Sequence, residues 1–281
     1  MMNLDRTDFM YGTLLLVDLI VLGLLLQWFV FVNDLTALSP AILVQHTLIQ
    51  LNWLFPFFAP AVVRDTTQHP FGWTQILREH YTEILEEVQQ FQMEQERDVS
   101  FGELTPHYDF GTGAGWNVVL LRCYGADSES VLSHFPTTAQ LLDQVGSEVD
   151  IQYAMISILE PGKSLEPHRG HYRGVLRYLL GLSIPPHSTN DLQLRVWPDS
   201  ELEELEITTY SNGSDVIFDD VNLHQVYNHI NQTRIALFID FVRPDLPYFM
   251  DLLNNLMLYL VKTASPVCRD AVQRQDDLLS L

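Results

Sequence analysis

Charge is scarce in this chain, and positive charge is scarcest. Asp, Glu, Lys and Arg make up 18% of its 281 residues, with 36 acids against 15 bases and a formal net charge of −21. Binding a phosphate backbone takes clustered Lys and Arg to displace counterions, so a nucleic-acid partner is excluded. The acidity reads as a solubility device. Cysteine is nearly absent. Cys123 and Cys268 are too few and too far apart for a zinc ribbon or a disulfide scaffold, and they leave the redox compartment open. No internal repeat or low-complexity tract is present. No basic segment with a small-residue cleavage site accompanies the first apolar run, which sets a secretory signal aside. The glycine-rich turn Phe110–Trp116 lacks a following Lys-Ser/Thr and leads into a strand, so it is no phosphate loop.

What is present begins with a long apolar run. Tyr11–Val32 is 22 residues with one charge, Asp18. That length crosses the roughly 30 Å hydrocarbon core of a bilayer as a helix. Trp28 and Phe31 sit near one end, where interfacial aromatics belong. Asp18 would face a partner helix or polar cavity. A second apolar stretch, Leu38–Val63, contains Gln45, His46, Gln50 and Asn52 and three prolines, and reads as a second span, an interfacial helix or a re-entrant segment. The expectation is a single- or double-pass membrane anchor over residues 1–65, hence membrane localisation, with topology and compartment unread.

Residues 66–262 read as a separate domain, followed by a polar tail at 263–281. An amphipathic helix is expected from Trp73 to Met93, with Leu77, Tyr81, Ile84, Leu85, Val88 and Phe91 on its apolar face. Asn117–Tyr124 reads as a strand and Thr137–Val145 as a short helix. Seven strands then follow: Ile151–Leu159, Val175–Ile184, Leu192–Trp197, Leu202–Tyr210, Asp215–Phe218, His224–Asn228 and Arg234–Val242. Short, evenly spaced strands parted by Pro, Gly, Asn, Asp and Ser indicate a sandwich or jelly roll. After Pro244 a helix is expected to pack on the outside of the barrel through Phe249, Leu252, Leu253, Leu256, Met257 and Leu260, with Asp251, Asn254 and Asn255 on the opposite face.

The chemistry lies in that strand-rich region. His168 and His224 are 56 residues apart, and arginines accompany them at Arg177 and Arg234. Neutral imidazole is a favoured ligand for iron. Arg234 opens an apolar strand, and a buried arginine calls for an anion such as a carboxylate co-substrate, which its planar fork binds bidentately. The pattern suggests a non-haem iron oxygenase using 2-oxoglutarate. Arg177 follows the same logic, though Glu160 or Glu166 could pair with it. His171 reads as a surface residue or substrate contact; His187 and His229 read as strand-end surface residues. Asp219 and Asp220 are expected to brace a turn through Asx hydrogen bonds rather than bind metal. Asn212-Gly-Ser and Asn231-Gln-Thr match glycosylation acceptors, which matter only on a lumenal face.

Five motifs in order resemble the aspartyl/asparaginyl β-hydroxylases: Ser157-Ile-Leu-Glu-Pro-Gly162, Pro167-His-Arg-Gly170, Leu176-Arg-Tyr-Leu-Leu-Gly-Leu182, Phe218-Asp-Asp-Val-Asn-Leu-His224, and Arg234. The resemblance covers about Phe71–Leu260. Lipid A 2-hydroxylases look similar too, with Asp in place of Gly170. The resemblance implies a mainly β, double-stranded β-helix (jelly-roll) fold with flanking helices, an Fe(II) cofactor and 2-oxoglutarate and O2 as co-substrates. It implies that His168 and His224 bind the metal, that Arg234 with Ser157 holds the distal carboxylate of 2-oxoglutarate, and that Arg177 lies near its metal-chelating carboxylate. The usual third ligand would fall at Gly170, which has no side chain, so a two-histidine site is expected. The chain departs from the family at Leu179, where many relatives have a histidine that helps hold the co-substrate. The substrate implied is a peptidyl aspartyl or asparaginyl side chain; a lipid acyl chain at the membrane is the alternative. A catalytically inactive tethered binding module, favoured by Leu179, and a cupin-like enzyme independent of 2-oxoglutarate are the rivals.

Overall fold

Short, largely apolar strands build two antiparallel sheets, and the larger of them carries an apolar cluster on each face. The structure, a computed structural model, describes residues 63–64, 71–105, 115–170, 172–186, 191–197, 205–207, 211–264 and 266–280. Its elements in chain order are β1 (Val63–Arg64), α1 (Thr74–Glu79), α2 (Tyr81–Glu94), α3 (Phe101–Leu104), β2 (Trp116–Cys123), β3 (Ala126–Asp127), α4 (Glu129–Leu132), α5 (Pro136–Gly146), β4 (Ile151–Leu159), β5 (Leu165–His168), β6 (Val175–Ser183), β7 (Leu192–Trp197), β8 (Leu205–Ile207), β9 (Asp215–Phe218), β10 (Leu223–Asn228), β11 (Arg234–Val242), α6 (Tyr248–Ala264) and α7 (Val267–Leu279). The larger sheet runs β1-β9-β6-β11-β4-β2-β3 and the smaller β5-β10-β7-β8. This is the mainly β jelly roll expected from the strand pattern.

The larger sheet separates two apolar clusters. One side packs Leu121, Ile156, Tyr178, Leu237 and Ile239 against Leu77, Ile84, Val88, Leu142 and Val145 of the helices. The other side packs Leu120, Met155, Leu179, Phe218, Ala236 and Phe238 against Leu165, Leu194, Val196 and Val226 of the smaller sheet. Neighbouring strand residues therefore divide between helix layer and sheet interior, as a period of two requires.

Several expectations need correction. The single helix over Trp73–Met93 is two helices, parted at His80, whose φ of −113° and ψ of 19° break the helical run. The strand β5 escapes a propensity reading because it is four residues long and contains Pro167. Helix α6 buries Met250, Asn254, Met257, Leu258 and Val261, while Phe249, Leu252, Leu256 and Leu260 stay exposed. The helix is thus rotated from the expected face. Asn254 accounts for this, because its amide accepts a hydrogen bond from the Tyr172 hydroxyl at 2.7 Å and donates to the Gly174 carbonyl at 2.8 Å.

The expected polar tail is the helix α7. Between Leu120 and Arg122 the β2–β4 register slips. Gln275 of α7 answers there, its amide accepting from the Leu120 N–H at 2.7 Å and donating to the Leu120 carbonyl at 2.9 Å. A Cys123–Cys268 disulfide joins the same two elements. The two cysteines that spacing left unassigned are therefore a pair.

The expected membrane localisation is also corrected. Among the described residues, no helix is long and apolar enough to cross a membrane. The anchor segments, Tyr11–Val32 and residues 38–62, lie outside the described residues, as do His171, His187 and the turn at 110–114.

Candidate active site

The two histidines meet on the smaller sheet. His168 ends β5 and His224 lies on β10, and the two are direct antiparallel partners. Their ring centroids are 4.2 Å apart. Each ring is held in the same way, by Nδ1 on the carbonyl two residues earlier. His168 Nδ1 lies 2.7 Å from the Glu166 carbonyl, and His224 Nδ1 lies 2.9 Å from the Asn222 carbonyl. A carbonyl only accepts, so this contact places the proton of a neutral ring on Nδ1 and the lone pair on Nε2. Burial pushes the His224 imidazole down to about 4 against the pull of the Asp220 carboxylate, and burial also lowers His168. Both rings are then neutral at pH 7, the form that ligates a metal.

Asp219 and Asp220, adjacent in sequence, do different work. Asp219 accepts from the Val221 N–H at 3.2 Å, closing the expected Asx turn. Its other oxygen lies 3.3 Å from Arg243 Nη1 and 3.6 Å from Arg173 Nε. Burial pushes this carboxyl up to about 6 despite those two guanidinium groups. Asp220, expected to brace the turn too, instead points into the site. Its Oδ1 lies 3.2 Å from His224 Nε2 and pairs with Arg177 Nη1.

Arg177 is more fully engaged than the sequence suggested. Its Nε and Nη2 both donate to Asp240, each at 2.9 Å, and its guanidinium lies 4.1 Å from the Phe238 ring centroid. Its carboxylate partners are Asp240 and Asp220, not Glu160 or Glu166. Asp240 is the site residue that the sequence reading missed. The signal was there: a carboxylate in an apolar strand, at an even spacing from Arg234, belongs on the same buried face and demands a partner.

Gly170 shows why that position carries no side chain. A Cβ there would stand 1.7 Å from Asp220 Oδ2. The Gly170 N–H also donates to the Asp220 carbonyl at 2.7 Å, and Arg169 Nη1 donates to the Val221 carbonyl at 3.0 Å. The loop after His168 is thereby stitched to the turn before His224. Among the described residues, no set of three or more His, Cys, Asp or Glu side chains is arranged to hold a metal.

Arg234 and Ser157, the residues expected to hold a co-substrate, lie on the interior face of the larger sheet. Arg234, almost fully buried, pairs across to Leu159, and Ser157 pairs with Ala236 one step along the same face. Ser157 Oγ accepts from Trp116 Nε1 at 3.0 Å. Leu179 shares a rung with Phe238 and Val216, two residues from Arg177 on that face. Two neutral imidazoles with unprotonated Nε2 atoms, and a buried arginine on the facing sheet, fit iron and a dicarboxylate.

Comparison with known proteins adds the following. A family model described as aspartyl/asparaginyl beta-hydroxylase matches residues 73–244. The chain is 33% identical over 195 residues to an ornithine lipid ester-linked acyl 2-hydroxylase of Rhizobium tropici, covering 69% of this chain and 65% of that one. It is 28% identical over 133 residues to the aspartyl/asparaginyl beta-hydroxylase of Mus musculus, covering 47% of this chain and 17% of that one. The chain thus spans less than two thirds of the length of these relatives. Among solved structures, a Trichoplax adhaerens prolyl hydroxylase in complex with a hypoxia inducible factor peptide fragment aligns at a TM-score of 0.45 and 15% identity, over 78% of this chain and 98% of that one.

Proposed function

The chain belongs to the aspartyl/asparaginyl β-hydroxylase family, and from that premise we propose that it is an Fe(II)- and 2-oxoglutarate-dependent hydroxylase. The observation that carries this reading is the His168–His224 pair, in register and with both Nδ1 atoms tied to backbone. Iron bound there would supply oxidation of a substrate C–H bond by O2, with 2-oxoglutarate converted to succinate and CO2. The protein's part is positional. His168 and His224 would hold the metal through Nε2. Arg234, with Ser157 near it, would bind the distal carboxylate of 2-oxoglutarate. Asp220, steadied by Arg177, would present a hydrogen-bond acceptor beside His224. Leu179 would give the co-substrate an apolar wall where many relatives offer an imidazole.

For the substrate, the longer and more similar match favours the 2-position of an ester-linked acyl chain over the peptidyl side chain first expected. The family description favours the peptidyl aspartyl or asparaginyl side chain, which stands as the second reading. The test supplies purified protein with Fe(II), 2-oxoglutarate, and either ester-linked amino-acid lipids or Asp/Asn peptides. Succinate release with a gain of one oxygen on the acyl chain is expected. Oxygen gained only by peptide reverses the order of the two readings. No succinate with either substrate, and no 2-oxoglutarate binding, removes the hydroxylase reading.

A further inference from the structure

The Cys123–Cys268 disulfide stands at one end of a rung that crosses the larger sheet to the site. Cys123 on β2 is opposite Tyr153 on β4, Tyr153 is opposite Asp240 on β11, and Asp240 is opposite Arg177 on β6. Side chains opposed across antiparallel strands share a face and touch. Here the contacts continue to the metal ligand. Asp240 grips Arg177 with two hydrogen bonds, Arg177 pairs with Asp220, and Asp220 lies 3.2 Å from His224 Nε2. Tyr153 also stacks at 5.4 Å on Phe238, whose ring carries the Arg177 guanidinium.

The far end of this rung is weakly held by the sheet itself. Beyond β2 lies only the two-residue β3, and the β2–β4 register slips just before Cys123. Tyr124, next to Cys123, has a φ of 44° and is the one non-glycine residue with positive φ among the described residues. A bulky residue in the left-handed region costs energy and persists only where its surroundings enforce it. The β2–β3 hairpin enforces it here: Tyr124 and Gly125, at φ 44° and 83°, form the two-residue loop between the paired Cys123 and Ala126, and the Tyr124 N–H donates to the Gln152 carbonyl at 2.6 Å. The disulfide adds a tie from Cys123 to α7.

We propose that the Cys123–Cys268 disulfide is a redox-sensitive positioning element for the metal site. Closed, it fixes the end of β2 and, through Tyr153 and Asp240, seats Arg177 and Asp220 against His224. A dithiol reductant opens it: a thiolate attacks the half-buried Cys268 sulfur, the S–S bond breaks, and two electrons and two protons leave both cysteines as thiols and the reductant as its own disulfide. Released, the end of β2 is no longer tied to α7, and the rung loosens as far as Asp220. The inference rests on His168 and His224 as metal ligands, and its test separates the two claims.

The full chain is titrated with Mn(II) alone, oxidised and then reduced and desalted under argon, with thiols counted by alkylation and mass spectrometry. The Cys123→Ser/Cys268→Ser variant is titrated alongside. Loss of outer-shell support typically weakens metal binding ~10- to 100-fold, so the Kd for Mn(II) is expected to rise about tenfold on reduction and in the double variant. A lower melting temperature with unchanged Mn(II) affinity means the bond is only a structural clasp, and the proposal falls. Two alkylatable thiols in the air-purified chain also overturn it. If the oxidised chain binds no Mn(II), the metal reading fails, and amide exchange at Arg177 and Asp240 decides the tether. Faster exchange on reduction supports it, and unchanged exchange refutes it.

Discussion

Replacing Gly170 by alanine tests the site at its tightest point. The added Cβ would meet Asp220 Oδ2 at 1.7 Å, Cγ at 2.5 Å and Cβ at 3.0 Å. Carbon and oxygen do not approach this closely, so Asp220 must move. It cannot move cheaply, because its Oδ1 pairs with Arg177 and its backbone carbonyl accepts from the Gly170 N–H. Overpacking of this kind costs about 1–3 kcal/mol. For a domain of this size each kcal/mol lowers the melting temperature by about 2–4 °C, so Gly170→Ala is expected to melt about 2–12 °C lower. The same displacement removes the carboxylate from beside His224, and Mn(II) affinity falls with it. A double-mutant cycle identifies the cause. Asp220→Ala removes the two nearest obstructing atoms, Oδ2 and Cγ, so it should cost about 0.5–3 kcal/mol less in the Gly170→Ala background than in the native one. Thermal unfolding followed by near-ultraviolet circular dichroism gives the stabilities, and isothermal titration gives the metal affinity. If Gly170→Ala melts within about 1 °C of the native chain, or the two substitutions are additive, the carboxylate does not occupy the space facing Gly170.

Other expectations follow from the same geometry. His168→Ala and His224→Ala should each abolish Mn(II) binding while far-ultraviolet circular dichroism stays native; metal retained by either variant removes that residue from the ligand set. Arg234→Ala should weaken 2-oxoglutarate binding by roughly 2–5 kcal/mol with metal affinity nearly unchanged, and an equal loss of both ligands in calorimetry would indicate unfolding of β11 instead. Gln275→Ala strips two hydrogen bonds from the Leu120 backbone, so it should lower stability in urea unfolding by about 1–3 kcal/mol; a change below that range would mean water replaces the amide.

The strands of the larger sheet were readable as short apolar runs between turn residues, because both of their faces are buried. In β11 the sequence Arg-Ile-Ala-Leu-Phe-Ile-Asp-Phe-Val alternates between the helix layer and the sheet interior, so its register follows from its pattern. The two histidines and Arg234 were readable because each is a costly group in an apolar strand or tight turn. What stayed hidden depends on contacts distant in sequence. The rotation of α6 follows from one amide, Asn254, reaching Tyr172 and Gly174. With apolar residues all round the helix, periodicity alone could not choose a face. The direction of Asp220 depends on Arg177, 43 residues earlier, and on the bare backbone of Gly170. The helix α7 reads as polar because most of it is only partly buried. Its attachment rests on Gln275 and Cys268, which meet residues about 150 positions away.

That separation has a consequence for how the chain is made. Cys268 is synthesised 145 residues after Cys123. At ordinary translation speeds of about 5–20 residues per second, the first thiol waits roughly 7–30 s for its partner, while strands β3 to β11 emerge between them. No other cysteine is present to trap Cys123 in a wrong pairing within the chain during that interval. Closing the bond is thus a late step in biogenesis that acts on a barrel whose strands have already been synthesised.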